Sequence, residues 1–463
     1  MVDLNGLLDL NTPDGREFFA GVQGNILKGH GRDHTAHILI TFAANADRAR
    51  AWVADFASEQ ITSGLKQWAD TEGWKAAARA GAGQPFATFY LTSAGYAALG
   101  LADRAPNDPY FRLGMKVPNT SGRTFNDPLV PKWEDPFRID LHAMILLADD
   151  DCRRLDDRVE AVVRAVVPLC SGAPNVQRGD KLKVDFGDGR NGVDIEHFGH
   201  QDGISNPQTI ASEAKKEIDQ RGKEHYDPSA SLSLLLTPEP AGGYGSYLVL
   251  RKLEQNVSRF RAQRAALAQA LGVDEDLAAA LAVGRFRNGA PLLKTALGDL
   301  KTGMNDFGFR DQDPTGAVCP LQTHIRKTNP RGDAVTFLNQ TLDFERQKRI
   351  ARRGITYGMR EDLEPGSTLP PPEKGIGLLF MSHQASIDQF AIQQEGSDSG
   401  DFVTPGTGID AVIGQGSNPQ PQKWPGPAGN SRPFLMNEFV TMLGGEYFFA
   451  PSMGFLRGLS AVA

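Results

Sequence analysis

Residues 139–167 read IDLHAMILLADDDCRRLDDRVEAVVRAVV, and the fold class follows from them. The opening run, 139–147, is dense in Ile, Leu and Met and has the length of a buried strand rather than of a helix. After an acidic break, residues 154–167 place Leu155, Val159, Val162, Val163 and Val166 at helical spacing, with charges on the opposite face. A strand that hands over directly to an amphipathic helix predicts mixed α and β structure.

Working outward, strand-like runs recur at 36–42 (AHILITF), 86–91, 245–250 and 375–382, with helical patterns at 47–59 and 257–271. Two such sets flank a loop-rich middle, about 172–240. This predicts an α+β fold in two units, 1–200 and 201–463, rather than one long parallel sheet. Residues 361–374 are rich in Pro, and 396–429 in Gly and Pro. Loops this long, anchored by apolar residues, are usually functional.

The chain has 463 residues, enough for a large core, and a net charge of −7. That charge argues against a nucleic-acid partner and against an anionic membrane surface. No uncharged apolar run approaches the roughly 18 residues of a membrane span. Asp3 stands where a secretion signal needs Lys or Arg, so a cytoplasmic location is expected. Cys152, Cys170 and Cys319 are too few for a disulfide framework and read as small buried apolar residues.

Three segments can carry chemistry. In His197-Phe198-Gly199-His200-Gln201-Asp202-Gly203-Ile204-Ser205-Asn206-Pro207, two glycines let a bulky ligand approach the backbone. Read alone, Asp202 fits either an Asx-type turn or an acid–base group. In residues 319–331, CPLQTHIRKTNPR, His324 is followed by Arg326, Lys327 and Arg331. That pattern suits a ligand carrying a metal and carboxylates, or a solvated basic loop. Residues 352–358, RRGITYG, offer two arginines before an apolar stretch. His30, His34 and His37 suggest zinc but read better as an exposed loop at the start of the first strand. His200, Asp202 and His324 also have the H-x-D…H form of a non-haem iron oxygenase, although a Gly/Pro loop is a poor frame for it.

Taken in order, GHQDG (199–203), HIRKTNPR (324–331) and RRGITYG (352–358) resemble the dye-decolorizing peroxidases. So do GVQGNILKGHGRDH (21–34), GRFRNGAPL (284–292) and GGEYFFAPS (444–452). The resemblance runs from about residue 20 to about 455 and points to the larger bacterial and fungal-type members. It implies two ferredoxin-like modules with antiparallel sheets, and one haem b per chain held mainly by the C-terminal half. By the same resemblance His324 is the axial ligand, Asp202 the distal acid–base group and Arg352 the distal arginine. Arg326 would pair with a haem propionate, while Gly203, Ile204, Leu378 and Phe380 would sit against the haem. Tyr357 matches a tyrosine that serves some relatives as a surface oxidation site. Asp388 and Glu395 are candidates for the acid behind His324. Two residues depart from the family pattern: Thr356 replaces a frequent proline, which predicts a looser loop, and His200 replaces an aromatic.

The implied reaction is reduction of H2O2 and one-electron oxidation of dyes, phenols and other aromatic reductants. A carboxylate, with an unperturbed pKa of about 3.9, can take and return the peroxide proton at low pH, which predicts an acidic optimum on dyes. An arginine stays protonated and stabilises the charge that develops on the leaving oxygen. A haem carrier would need His324 and Arg326 but would have no use for Asp202 and Arg352. The oligomeric state is not legible in the sequence.

Overall fold

The computed structural model describes residues 2–77, 81–118, 120–123, 125–187, 190, 192–294, 304–364, 366–402, 404–416, 419–425 and 431–461. Its strands, in chain order, begin with β1 (His34–Ile40), β2 (Phe86–Leu91), β3 (Ala143–Asp149), β4 (Asn175–Asp180), β5 (Leu182–Val184), β6 (Val193–Ile195) and β7 (Thr237–Pro238). There follow β8 (Tyr244–Gln255), β9 (Ala351–Arg352), β10 (Ile355–Tyr357), β11 (Gly377–Gln384), β12 (Gln422–Pro425), β13 (Ser431–Phe434) and β14 (Val440–Ala450).

Ten of these strands form one antiparallel sheet in the order β10-β11-β8-β14-β2-β3-β1-β4, with β7 on β8 and β9 on β11. β1 to β4 precede residue 200 and occupy one side of the sheet, while the strands after it occupy the other. The seam lies between β14 and β2, where Phe449 faces Leu91.

Alternation along the strands divides the apolar residues between two faces. Ile38, Phe89, Ile145, Val249 and Tyr447 pack on one face, under the helices Ala46–Glu59, Cys152–Val166 and Met453–Arg457. Leu39, Tyr90, Met144, Leu248 and Phe448 pack on the other, against Phe19, Trp133 and Leu232. Both cores draw on both sides of the seam. A third cluster joins the helices Val257–Leu271 and Glu275–Val283 to Phe198, Trp424, Met436 and Phe439.

All seven residues of β3 are buried, as the run at 139–147 requires, but the strand starts at Ala143. His142 still donates its N–H to the Ile40 carbonyl and accepts the Thr92 N–H, while the Thr92 hydroxyl takes the Leu141 carbonyl, and the regular ladder begins only at Ala143. The following helix opens at Cys152 on Asp151, whose carboxylate accepts the N–H groups of Arg153 and Arg154. Cys152 is therefore exposed, not a buried apolar residue.

The middle, read as loop, holds β4 to β7 and the helix Ala211–Arg221. These elements lie near the surface, and that helix buries only Ala214, so their sequence carries no apolar period. Thr356 loosens nothing. It lies buried in β10, its hydroxyl donates to the Asp180 carbonyl and accepts the Leu182 N–H, and it ties β10 to the opposite edge of the sheet at β4. In the Gly/Pro stretch, residues 403, 417–418 and 426–430 lie outside the described residues.

Candidate active site

The loop after β6 turns back on itself at residues 196–207. Gly199 and Gly203 have φ of 96° and 79°, a region closed to most side chains. A Cβ at Gly199 would also press on the Arg287 guanidinium. The backbone N–H of Asp202 is tied to the Asp194 carbonyl and that of Gln201 to the Arg287 carbonyl, which fixes the loop from both sides. Asp202 Oδ1 accepts the Gly203 N–H at 2.6 Å and Arg352 Nη1 at 3.3 Å. The Asx-type contact and the arginine contact therefore coexist. Arg352, at the end of β9, is held by its own N–H on Asn206 Oδ1 and by Nη2 on the Ile204 carbonyl at 2.5 Å.

His324 begins the short helix His324–Thr328. Its Nδ1 bonds Asp410 Oδ2 at 2.9 Å, and Asp410 is fully buried. The other carboxylate oxygen of Asp410 accepts the N–H groups of Val412 and Ile413. Burial opposes charging of His324, but the Asp410 carboxylate outweighs it and raises the imidazole pKa. The acid behind His324 is thus Asp410. Asp388 and Glu395 instead pair with Arg123. Asp410 lies 86 residues further on in the Gly/Pro stretch, and its only sequence signal is an aspartate flanked by Ile409, Ala411 and Val412.

His324, Asp202 and Arg352 line one cavity of about 260 Å³, together with Ile204, Leu378 and Phe380. Gly203 opens instead onto a neighbouring polar cavity, which Arg352 also borders.

Arg326 does not reach the cavity. Two residues past His324 is about 200° around a helix, so its side chain leaves from the opposite face. There it is fully buried, paired with Asp333 at 2.5 Å and Asp313 at 3.1 Å, with Phe309 beneath it. Lys327 is buried too, on the carbonyls of Gly396, Ser399 and Phe402.

Besides Arg352, the cavity wall holds Arg251, which pairs with Asp127, and Arg349, Arg285 and Arg331, the last two from segments already singled out by sequence. Arg285 and Arg331 are both buried, and among the described residues their guanidinium groups donate to Ser205, Asn305 and backbone carbonyls. Neither has a carboxylate partner among the described residues. Burial drives the Arg331 pKa down to about 10 and that of Arg285 well below its usual value. Two desolvated cations that bond no carboxylate among the described residues, beside an apolar cavity, suit a ligand that brings carboxylates.

No family model matches the chain. A curated relative, the multifunctional dye peroxidase DyP2 of Amycolatopsis sp. (strain ATCC 39116 / 75iv2), is 37% identical over 489 residues, covering 99% of this chain and all of that one. The chain belongs to the dye-decolorizing peroxidases. It is therefore an oxidoreductase acting on hydrogen peroxide. Among solved structures, the DyP-type peroxidase of Anabaena sp. superposes with a TM-score of 0.90 at 35% identity, covering 99% of both chains. A dye-decolorizing peroxidase in complex with 2,6-dimethoxyphenol superposes with a TM-score of 0.74 at 25% identity, over 96% of this chain and 99% of that one.

Other expectations for this dye-decolorizing peroxidase need correction. Tyr357 is no surface residue. It is 8% exposed, its ring lies under Lys252, and its hydroxyl has no hydrogen-bond partner among the described residues. His30, His34 and His37 are not an exposed loop, because His34 and His37 are part of β1. His37 is fully buried, His34 bonds Asp180 and His30 stacks on Phe86. His200 lines the cavity beside Phe260, and burial lowers its pKa to about 3, so it is neutral. The H-x-D…H reading also loses its support. Among the described residues, no group of three His, Cys, Asp or Glu is arranged to hold a metal.

Proposed function

We propose that this cavity holds one haem b per chain, with His324 as axial ligand and Asp202 and Arg352 as the groups that activate peroxide. The observation that carries this is a cavity lined by a carboxylate-backed imidazole, a carboxylate–guanidinium pair and buried arginines, Arg285 and Arg331, that have no carboxylate partner among the described residues. Arg285 and Arg331, rather than Arg326, would take the haem carboxylates.

Haem, when bound, supplies the redox metal at which the peroxide O–O bond is broken. His324 would hold the group through Nε2, since Nδ1 is held by Asp410, and the anionic partner would make the imidazole a stronger donor. Asp202 Oδ1 is occupied by Gly203 and Arg352, which leaves Oδ2 to take the peroxide proton and return it to the leaving oxygen. Arg352 remains protonated and stabilises charge on that oxygen, a preorganised effect often worth about 3 kcal/mol. Ile204, Leu378 and Phe380 keep water from the reacting oxygens. The overall reaction consumes two protons and two electrons per peroxide, and aromatic reductants supply the electrons one at a time. A phenol of the 2,6-dimethoxyphenol class is a suitable reductant.

We also read residues 1–200 and 201–463 as two ferredoxin-like modules, which the distribution of strands across the β14–β2 seam supports. The cavity lining runs from Glu196 to Val440, so the second module supplies nearly all of it. No helix among the described residues is long and apolar enough to cross a membrane. The free cysteines favour a reducing, cytoplasmic setting.

An absorption spectrum tests the reading. Protein supplied with haemin should show a Soret band that shifts on one equivalent of H2O2. A His324→Ala variant with unchanged haem coordination would sink it.

A further inference from the structure

The segment 21–34 supplies no residue to the wall of the cavity at His324. Its stretch Lys28-Gly29-His30-Gly31-Arg32 instead walls the neighbouring polar cavity, of about 340 Å³. Lys181, Asp194, Glu213, Arg352 and Arg353 bring the remaining charges of that wall. His30 is neutral, because burial holds its pKa well below the usual value. The wall therefore carries five cations against two carboxylates, in a chain whose net charge is −7.

Ion pairs account for part of the excess. Glu213 takes Lys28 at 2.9 Å, Asp194 takes Lys181 at 3.0 Å, and Arg352 meets Asp202 at 3.3 Å. Arg32 and Arg353 are left over. Arg353 donates to the carbonyls of Asn25, Ile26 and Arg352, which occupy three of its five N–H groups. Arg32 donates to the carbonyls of His30 and Gln84. Asp150 acts on Arg32 through space, but its two oxygens accept the N–H groups of Asp33 and Gly83. Neither guanidinium bonds a carboxylate among the described residues. Burial, with Arg352 alongside, brings the Arg353 pKa down to about 10. Desolvated cations arranged in this way gain most from a counter-charge that arrives with a ligand. Asn206 lines the same cavity, and its amide oxygen accepts the Arg352 N–H, which leaves its amide N–H groups as neutral donors.

We propose that this polar cavity is a binding site for a small dianionic oxyanion, of the phosphate or short dicarboxylate kind. Two guanidinium groups without a carboxylate match two negative charges, and their planar N–H edges match paired oxygens. The site shares Arg352 and Gly354 with the cavity at His324 but needs no group bound there. Its occupancy can therefore be measured whether or not haem is present.

The test is isothermal titration calorimetry of the full chain with inorganic phosphate and, separately, with succinate, in chloride of matched ionic strength. At least one of the two should bind saturably, once per chain. Phosphate alone identifies a tetrahedral oxyanion site, and succinate alone a dicarboxylate site. Arg353→Met should weaken binding by about tenfold or more. Lys28→Gln leaves Glu213 unpaired in the wall and should weaken it as well. A second measurement needs no variant: the bound anion should slow amide hydrogen exchange in peptides covering 25–32 and 352–355. Absence of saturable binding by either anion overturns the proposal. So does binding that both variants leave unchanged, or protection that maps outside those peptides.

Discussion

Asp410→Asn asks how much the carboxylate behind His324 contributes. The substitution preserves volume, and the site is fully buried, so no water replaces the lost contact. Asp410 now accepts three N–H groups, from His324, Val412 and Ile413. An asparagine has one carbonyl oxygen and one amide. If the oxygen serves the two backbone groups, the amide meets the histidine N–H donor to donor; if it is turned round, the backbone groups lose their acceptor. Either way the imidazole loses an anionic partner. A hydrogen bond to a charged group is worth about 1.5–3 kcal/mol. Partners behind a metal-bound histidine carry about 10–100-fold in metal affinity, the same range. If about 2 kcal/mol of this favours the ferric over the ferrous form, the haem potential rises by about 90 mV, at about 59 mV per tenfold for one electron. A redox titration followed at the Soret band reads that shift directly. A potential within about 20 mV of the wild type, with haem retained, would refute the claim that Asp410 tunes His324.

Asp202→Asn should keep its Soret band while its reaction with H2O2, followed by stopped-flow absorption, slows by about 10²–10⁴. Arg326→Met leaves Asp313 and Asp333 buried without their cation, and should lower denaturant stability by about 3–5 kcal/mol with the Soret maximum in place. Glu239 is buried against the Ser452 N–H and hydroxyl, and burial raises its pKa from 4.5 to about 7. The folded chain then holds this proton more tightly than the unfolded one, so its contribution is complete below about pH 4.5 and falls as pH rises to about 7, by up to about 3 kcal/mol. Glu239→Gln should flatten that part of the stability–pH curve, and a curve of unchanged slope would count against it.

The strands and helices that sequence located are those with a period to read. The helical pattern at 257–271 matches the helix Val257–Leu271, which buries one face in the core, and the run at 86–91 matches β2, which is buried on both faces and so reads as a continuous apolar stretch. β4 and the helix Ala211–Arg221 were illegible because they are half-solvated and spend their sequence on polar contacts. In the site, local motifs identify His324, Asp202 and Arg352, since each sits in a segment shaped around it. Partners drawn from distant segments leave no such trace, and Asp410 is the example. Arg326 shows a different failure. Adjacency to His324 in the chain suggested adjacency in the site, whereas the helix turned it into a core ion pair. Arg331, seven residues from His324 and beyond the helix end, could have been preferred on that geometry alone.

The hydroxyl of Thr356 also bears on how copies of this chain meet. A broad antiparallel sheet normally ends in two ribbons of unsatisfied amides and carbonyls, each a template on which another polypeptide can grow. Here the ribbons of β10 and β4 are turned towards one another and bridged by that side chain. Strand-by-strand recruitment of a second molecule therefore finds little purchase where that side chain bridges the two ribbons.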